Sequence, residues 1–138
     1  MWHHGEVVTA LSGMNAPEQL RENLVVADAA APGGLTDAEL ALAAAVRSHY
    51  LAAIEVPCTT CGYCLPCPSG VAIPDVFSLV NTVAMFGSRA ATSAAYKAIW
   101  VARGNGADAC AECGECEPKC PQSIPIRDAL RSAHDLLG

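Results

Sequence analysis

Cys58-Thr-Thr-Cys61-Gly-Tyr-Cys64-Leu-Pro-Cys67-Pro68 and Cys110-Ala-Glu-Cys113-Gly-Glu-Cys116-Glu-Pro-Lys-Cys120-Pro121 hold all eight cysteines of this 138-residue chain. Each run sets three cysteines at three-residue steps, with Gly after the second and Pro after the last. The first run has one residue fewer before its final cysteine. No cysteine lies outside the two runs, so the other segments are read by what they do for them.

Composition narrows the possibilities. Hydrophobic residues make up 52% of the chain, but much of that is alanine and aromatics are only 5%, so the core per residue is thin. Metal groups would supply cross-links that such a core lacks. A net charge of -6 with no basic stretch argues against nucleic acid as a partner. The first residues carry neither a basic n-region nor an apolar h-region, so no signal peptide is expected. Val71 to Phe86, the most apolar segment, is interrupted by Pro74, Asp75 and Asn81 and falls short of the roughly 18 apolar residues of a membrane span. The chain reads as cytoplasmic, where clustered cysteines more often hold metal than form disulfides.

The flanking sequence predicts helices. Residues 6–11 read as a short strand, after which Asn15, Pro17 and Glu18 form a capping pattern for a helix striped by Leu20 and Leu24. Ala-Ala-Ala-Pro32-Gly33-Gly34 breaks it. Thr36 and Glu39 make a second capping box, opening a helix to about Ile54 with Leu40, Ala43, Tyr50, Leu51 and Ile54 at helical spacing. Between the runs, Pro74-Asp75 opens a helix carrying Val76, Leu79, Val80 and Val83 and closing near Gly87. Ser88 is placed to cap another, with Ala91, Ala95, Ile99 and Trp100 inward, reaching Arg103. Ile126 to Leu137 is the last helix. A second convincing strand is missing, so a strand at 6–11 would leave its ladder groups unpaired unless its sheet lies elsewhere. The fold class is therefore mostly α, with two Cys-rich loops over residues 35–138.

Cys67-Pro68-Ser-Gly-Val71-Ala-Ile73-Pro74-Asp75 echoes Cys120-Pro121-Gln-Ser-Ile124-Pro125-Ile126-Arg-Asp128, an internal repeat of cysteine loop and helix. The second run has the C-x2-C-x2-C-x3-C-P spacing of bacterial two-cluster ferredoxins, whose fourth Cys ligates the other cluster. On that pattern the chain binds two 4Fe-4S clusters. Cluster I takes Cys58, Cys61, Cys64 and Cys120; cluster II takes Cys110, Cys113, Cys116 and Cys67. Gly62 and Gly114 let the backbone approach the cluster sulfurs, and Val71, Ile73, Ile124 and Ile126 supply dry walls. Two four-thiolate zinc sites in a structural module are the alternative, although zinc sites usually place their CxxC halves apart. Four disulfides would need an oxidising compartment.

Pro57 to Pro74 and Cys113 to Ile126 resemble the C-terminal iron–sulfur region of the ferredoxin-linked aldo/keto reductase family, with the short spacing before Cys67 usual there. Asn81, Met85-Phe86-Gly87 and Tyr96 extend the likeness. Upstream, Glu6-Val-Val-Thr-Ala-Leu-Ser-Gly-Met14 with Glu18-Gln19 and Glu22-Asn23-Leu24 is similar to the last strand and helix of that family's barrel. The resemblance implies that residues 1–32 are a strand–helix remnant of a TIM barrel and that 35–138 form the α-helical dicluster domain. It also implies that Gly13, Met14, Gln19, Glu22 and Asn23 contribute to an NADPH site once joined to the missing barrel, Gln19 standing where many relatives carry Arg. The family's catalytic Asp, Tyr, Lys and His lie on earlier strands, so the chain reads as a truncated gene, a fragment or a split subunit. Carbonyl reduction by this chain alone is not expected. Its implied partner is the reductase barrel or another redox protein.

Among the remaining residues, His3 and His4 are expected to face solvent, and His49 and His134 to be ordinary helical residues. Tyr63 either packs on a cluster or lies on the surface. Lys119 points to water, and Ile99 and Trp100 belong to the core.

Overall fold

The computed structural model describes residues 1–138. The chain divides into two compact units, Met1–Ser48 and His49–Gly138. Five α-helices carry the fold: α1 (Pro17–Ala29), α2 (Asp37–Ala53), α3 (Ile73–Phe86), α4 (Arg89–Ile99) and α5 (Ile126–Leu137). Three single 3-10 turns, Val101–Arg103, Ala107–Ala109 and Glu117–Lys119, punctuate the loops. No helix is long and apolar enough to cross a membrane.

In the first unit the expected strand at 6–11 does not form; residues 7–15 have no regular structure. A strand needs a partner for its backbone groups, and this unit offers none. Val8 and Leu11 are accordingly almost fully exposed, at 94% and 96%. Helix α1 forms where proline and its neighbours place it, but its N-cap is Ala16 rather than Asn15. The Asn15 N–H is satisfied by Gln19 Oε1 at 2.9 Å, while Glu18 pairs with Arg21 instead of closing a capping box. The second capping box forms as the sequence predicts: Thr36 N and Oγ1 both donate to Glu39 Oε2 at 2.8 Å, and Glu39 N donates to Thr36 Oγ1 at 3.3 Å. Those bonds hold the Glu39 carboxyl below its ordinary range. Neither α1 nor α2 buries a residue, so the stripes of Leu20, Leu24, Tyr50 and Leu51 remain largely exposed.

The second unit contains the core. Val71, Ile73, Val76, Phe77 and Val80 from the α3 side meet Ile124, Ile126, Leu130, Ala133 and Leu137 from the α5 side, with Tyr96 of α4 between. These positions follow the internal repeat: Val71 corresponds to Ile124, Ile73 to Ile126, Phe77 to Leu130 and Val80 to Ala133. Helix α3 ends at Gly87, left-handed, whose N–H bonds the Val83 carbonyl at 2.8 Å.

Helix α4 departs from expectation. It stops at Ile99, four residues before Arg103, and its buried face is Thr92 and Tyr96, not Ala91, Ala95 and Ile99. Ile99 is 39% exposed and Trp100 is only half-buried. Tyr96 decides the rotation. It is the largest fully buried side chain, and its hydroxyl accepts the Ala107 N–H at 2.8 Å. A phenol taken into a core needs such a partner, whereas alanines are indifferent to which way they face. Two further bonds tie α4 to the end of α5: Arg89 Nε donates to the Leu136 carbonyl and Ser93 Oγ to that of Leu137. These satisfy carbonyls that a helix C-terminus otherwise leaves free.

Candidate metal centre

Each cysteine run is held at its start by one polar side chain from the helical core. Asn81 of α3 accepts the Glu55 and Val56 N–H groups on Oδ1 at 3.1 and 2.9 Å, and its Nδ2 donates to the Val56 carbonyl at 2.8 Å. That fixes the chain just before Cys58. The bond from Ala107 to Tyr96 does the same before Cys110.

Within the runs the backbone repeats. Thr60 and Gly62 flank Cys61 with φ of 55° and 77°; Glu112 and Gly114 flank Cys113 with φ of 53° and 77°. Left-handed residues on both sides of a cysteine form a concave backbone of the kind that directs N–H groups toward an anion. The Thr60 N–H already points to Cys58 Sγ at 3.4 Å. Glycine accommodates this conformation without strain, whereas Thr60 and Glu112 hold it with a side chain attached. Further on, Gly70 and Ser123 are left-handed at matching positions, and their N–H groups bond the carbonyls of Cys67 and Cys120 at 2.9 and 3.1 Å. The runs differ between their third and fourth cysteines. The first passes through a cis Leu65–Pro66 bond, the second through the 3-10 turn at Glu117–Lys119.

All eight cysteines are free thiols. Cys58, Cys61 and Cys64 of the first run line one cavity together with Cys120 of the second, walled by Ile73, Phe77, Ile124 and Ile126. Burial pushes the Cys64 thiol up, reinforced by Cys58, Cys116 and Cys61. Burial likewise raises the Cys116 thiol, with further contributions from Glu117, Cys110 and Cys67. Each run's third cysteine thus stands within electrostatic reach of its own run, and Cys116 also of the last cysteine of the other. Cys64 also feels Cys116 of the opposite run. Cys61 and Cys113, the central cysteines, are the exposed ones. No three His, Cys, Asp or Glu side chains converge closely enough to share one metal ion. Four soft sulfur donors around one cavity, apolar walls and left-handed backbone on both sides of each central cysteine suit a polynuclear iron–sulfur group.

Residues 57–124 match the family model of the 4Fe-4S dicluster domain. The matched stretch holds both runs and α3, α4 and the turns between them. It is an iron–sulfur, ferredoxin-type region. No curated protein and no solved structure matches the chain.

Outside the dicluster region, Gly13, Met14, Gln19, Glu22 and Asn23 do come together. With Ser12 they line one shallow, open pocket in the first unit, where Asn23 Nδ2 donates to Ser12 Oγ at 3.2 Å. The histidines do not join either site. His3 Nδ1 accepts the Leu35 N–H at 3.3 Å, His4 faces Glu6 at 3.7 Å, and His49 and His134 are exposed. Tyr63 lies on the surface at 66% exposure. Lys119 is exposed as well.

Three features near the thiols escape a reading by motif. Phe77 walls the first cavity. Glu117 receives Arg127, whose Nε and backbone N donate to Oε1 at 3.1 Å and whose Nη2 donates to Oε2 at 2.9 Å. Arg131 bridges Glu112 at 2.9 Å and Asp128 at 3.0 Å. Pairing with Arg127 holds the Glu117 carboxyl below the usual range. Aligning the two repeats would have exposed these pairs, because Glu112, Glu117, Arg127 and Arg131 fall where the first repeat has Thr60, Leu65, Pro74 and Ser78.

Proposed function

We propose that the chain is an electron-transfer domain with two 4Fe-4S clusters, one held by Cys58, Cys61, Cys64 and Cys120 and the other by Cys110, Cys113, Cys116 and Cys67. The observation that carries this reading is the cavity that Cys120 shares with the three leading cysteines of the opposite run. When bound, such clusters supply one-electron transfer. The chain's own contribution is threefold. Cysteines on loops anchored by Asn81 and Tyr96 fix the positions of the sulfur donors. The left-handed backbone at Thr60 aims its N–H at Cys58 Sγ, which favours added negative charge there. Ile73, Phe77, Ile124 and Ile126 keep water from the inner face, while Cys61 and Cys113 lie near the surface, where a partner protein can approach. A mononuclear zinc ion takes four ligands about 2.0–2.3 Å from one point; the match of residues 57–124 to a 4Fe-4S dicluster domain favours the larger cluster. Anaerobic purification tests the reading: about eight irons and matching sulfide per chain, with broad visible absorption, are expected. Colourless protein with one zinc per four cysteines would refute it.

A second inference concerns the first unit. We infer that residues 1–32 belong with an aldo/keto reductase-type barrel, and that Gly13, Met14, Gln19, Glu22 and Asn23 take the adenosine end of NADPH when that barrel is present. The common pocket of these five residues supports this, as do the exposed apolar side chains of Val8, Leu11, Leu24 and Val25. Alone, the chain is expected to show no NADPH-dependent reduction of aldehydes or ketones; turnover of a carbonyl panel would overturn that expectation.

A further inference from the structure

The two cysteine repeats share backbone and core but not charge. From Val56 to Pro74 the first repeat has no ionisable side chain other than its cysteines and Tyr63. The second places Glu112, Glu115, Glu117 and Lys119 among its thiols and answers two of the carboxylates from α5. Of those two pairs, Glu117 with Arg127 is the more enclosed, its side chains 25% and 46% exposed. Its geometry is also the more constrained, with two guanidinium nitrogens and a backbone N–H on one carboxylate. Such a fork fixes orientation as well as distance. The guanidinium lies over Gly114, with Nε and Cζ 3.6 Å from where a Cβ would stand, whereas the equivalent position at Gly62 faces open space. Arg127 also lines a surface pocket with Cys113, Gly114, Glu117 and Cys120. From Glu117, just past the third thiol of the second run, the pair therefore holds the guanidinium over the loop between the second and third thiols, with no counterpart in the first.

We propose that Glu117 and Arg127 are positioning residues for the second cluster, holding the Cys113–Cys116 loop against α5 and setting that cluster's electron affinity more strongly than that of the first. The proposal rests on the two-cluster reading. One-electron reduction adds negative charge beside Cys116. An unpaired carboxylate at Glu117 opposes that charge, an unpaired guanidinium at Arg127 favours it, and the intact pair nearly cancels. The two single variants should therefore shift the potential in opposite directions, which loss of structure alone would not do.

The test is an anaerobic dithionite titration of the full chain monitored by electron paramagnetic resonance, with the second cluster's signal identified by its absence in Cys67→Ser. Iron and sulfide content is measured first; a wild-type chain short of two clusters refutes the cluster reading before any potential is compared. Glu117→Gln, nearly isosteric, is expected to raise the second cluster's potential and Arg127→Leu to lower it. Each shift is up to about tenfold in the reduced-to-oxidised ratio at fixed potential, or about 59 mV for one electron. Arg127→Lys, which keeps the charge but not the fork, should stay nearer to wild type than Arg127→Leu. The first cluster should move less, since of its four ligands only Cys120 borders the same pocket. Loss of the second cluster in Arg127→Leu with retention in Arg127→Lys also supports the positioning role. Shifts of the same sign, equal movement of both clusters, or no shift in Glu117→Gln would overturn the proposal.

Discussion

The first and second cysteine repeats are built on one plan and finished differently. Both pair a thiol loop with left-handed residues around the central cysteine, and both lead into a helix whose inner face is fully buried. They differ in how the loop is secured. The first is held at its start by Asn81 and presents an uncharged surface of Thr, Tyr, Leu and Pro. The second is held at its start by Tyr96 and again along its length by guanidinium groups of α5. Backbone geometry and core thus follow from what is common to the repeats, and electrostatics from what is not. A fold that must bring two thiol sets together can duplicate the first property and leave the second free to vary.

The largest expected effect tests whether the repeats exchange ligands. Cys120→Ser should cost the cluster held by the first run, and Cys67→Ser the cluster held by the second, each removing about four irons per chain. Loss of the cluster belonging to the mutated run would break the comparison at its root. Next come the equivalent core positions. Phe77→Ala is expected to cost about 3–5 kcal/mol and Leu130→Ala about 2–5 kcal/mol, both being essentially fully buried. Denaturant midpoints, followed by bleaching of the visible band, measure this. Because Phe77 also walls the first cavity, its variant should bleach in two steps, first cluster first. Smaller effects belong to the anchors. Asn81→Ala and Tyr96→Phe each strand backbone groups near a thiol loop, at about 1–3 kcal/mol, and each should speed the loss of the cluster whose loop it holds. Smallest is the response to salt. Raising ionic strength from about 0.1 to 1 M shortens the screening length from about 10 to 3 Å, so the second cluster's potential should drift further than the first's.

Much of this was legible in the sequence, and what was not has identifiable causes. Helices α2, α3 and α5 lie where capping residues, proline and Gly87 put them, because those signals are local. The cavity that Cys58, Cys61 and Cys64 share with Cys120 lies where spacing and repeat point. Helix α4 is different. Its run of small residues carries almost no directional preference, so the Tyr96 hydroxyl and its distant partner Ala107 choose the buried face. The strand at 6–11 fails for a related reason: a strand's backbone groups need a partner strand, and none is within this unit. The Glu117–Arg127 pair joins residues ten apart across a turn and a loop, a proximity created only by the fold.

A unit without a single buried side chain has little to hold it closed. Across Met1–Ser48 every residue is exposed or half-exposed, so local opening there costs little free energy and a protease should reach the backbone readily. Trypsin has exposed sites at Arg21 and Arg47 in this unit. A brief digestion should therefore leave a brown, resistant product beginning at Ser48, turning an irregularity of packing into a practical route to the isolated electron carrier.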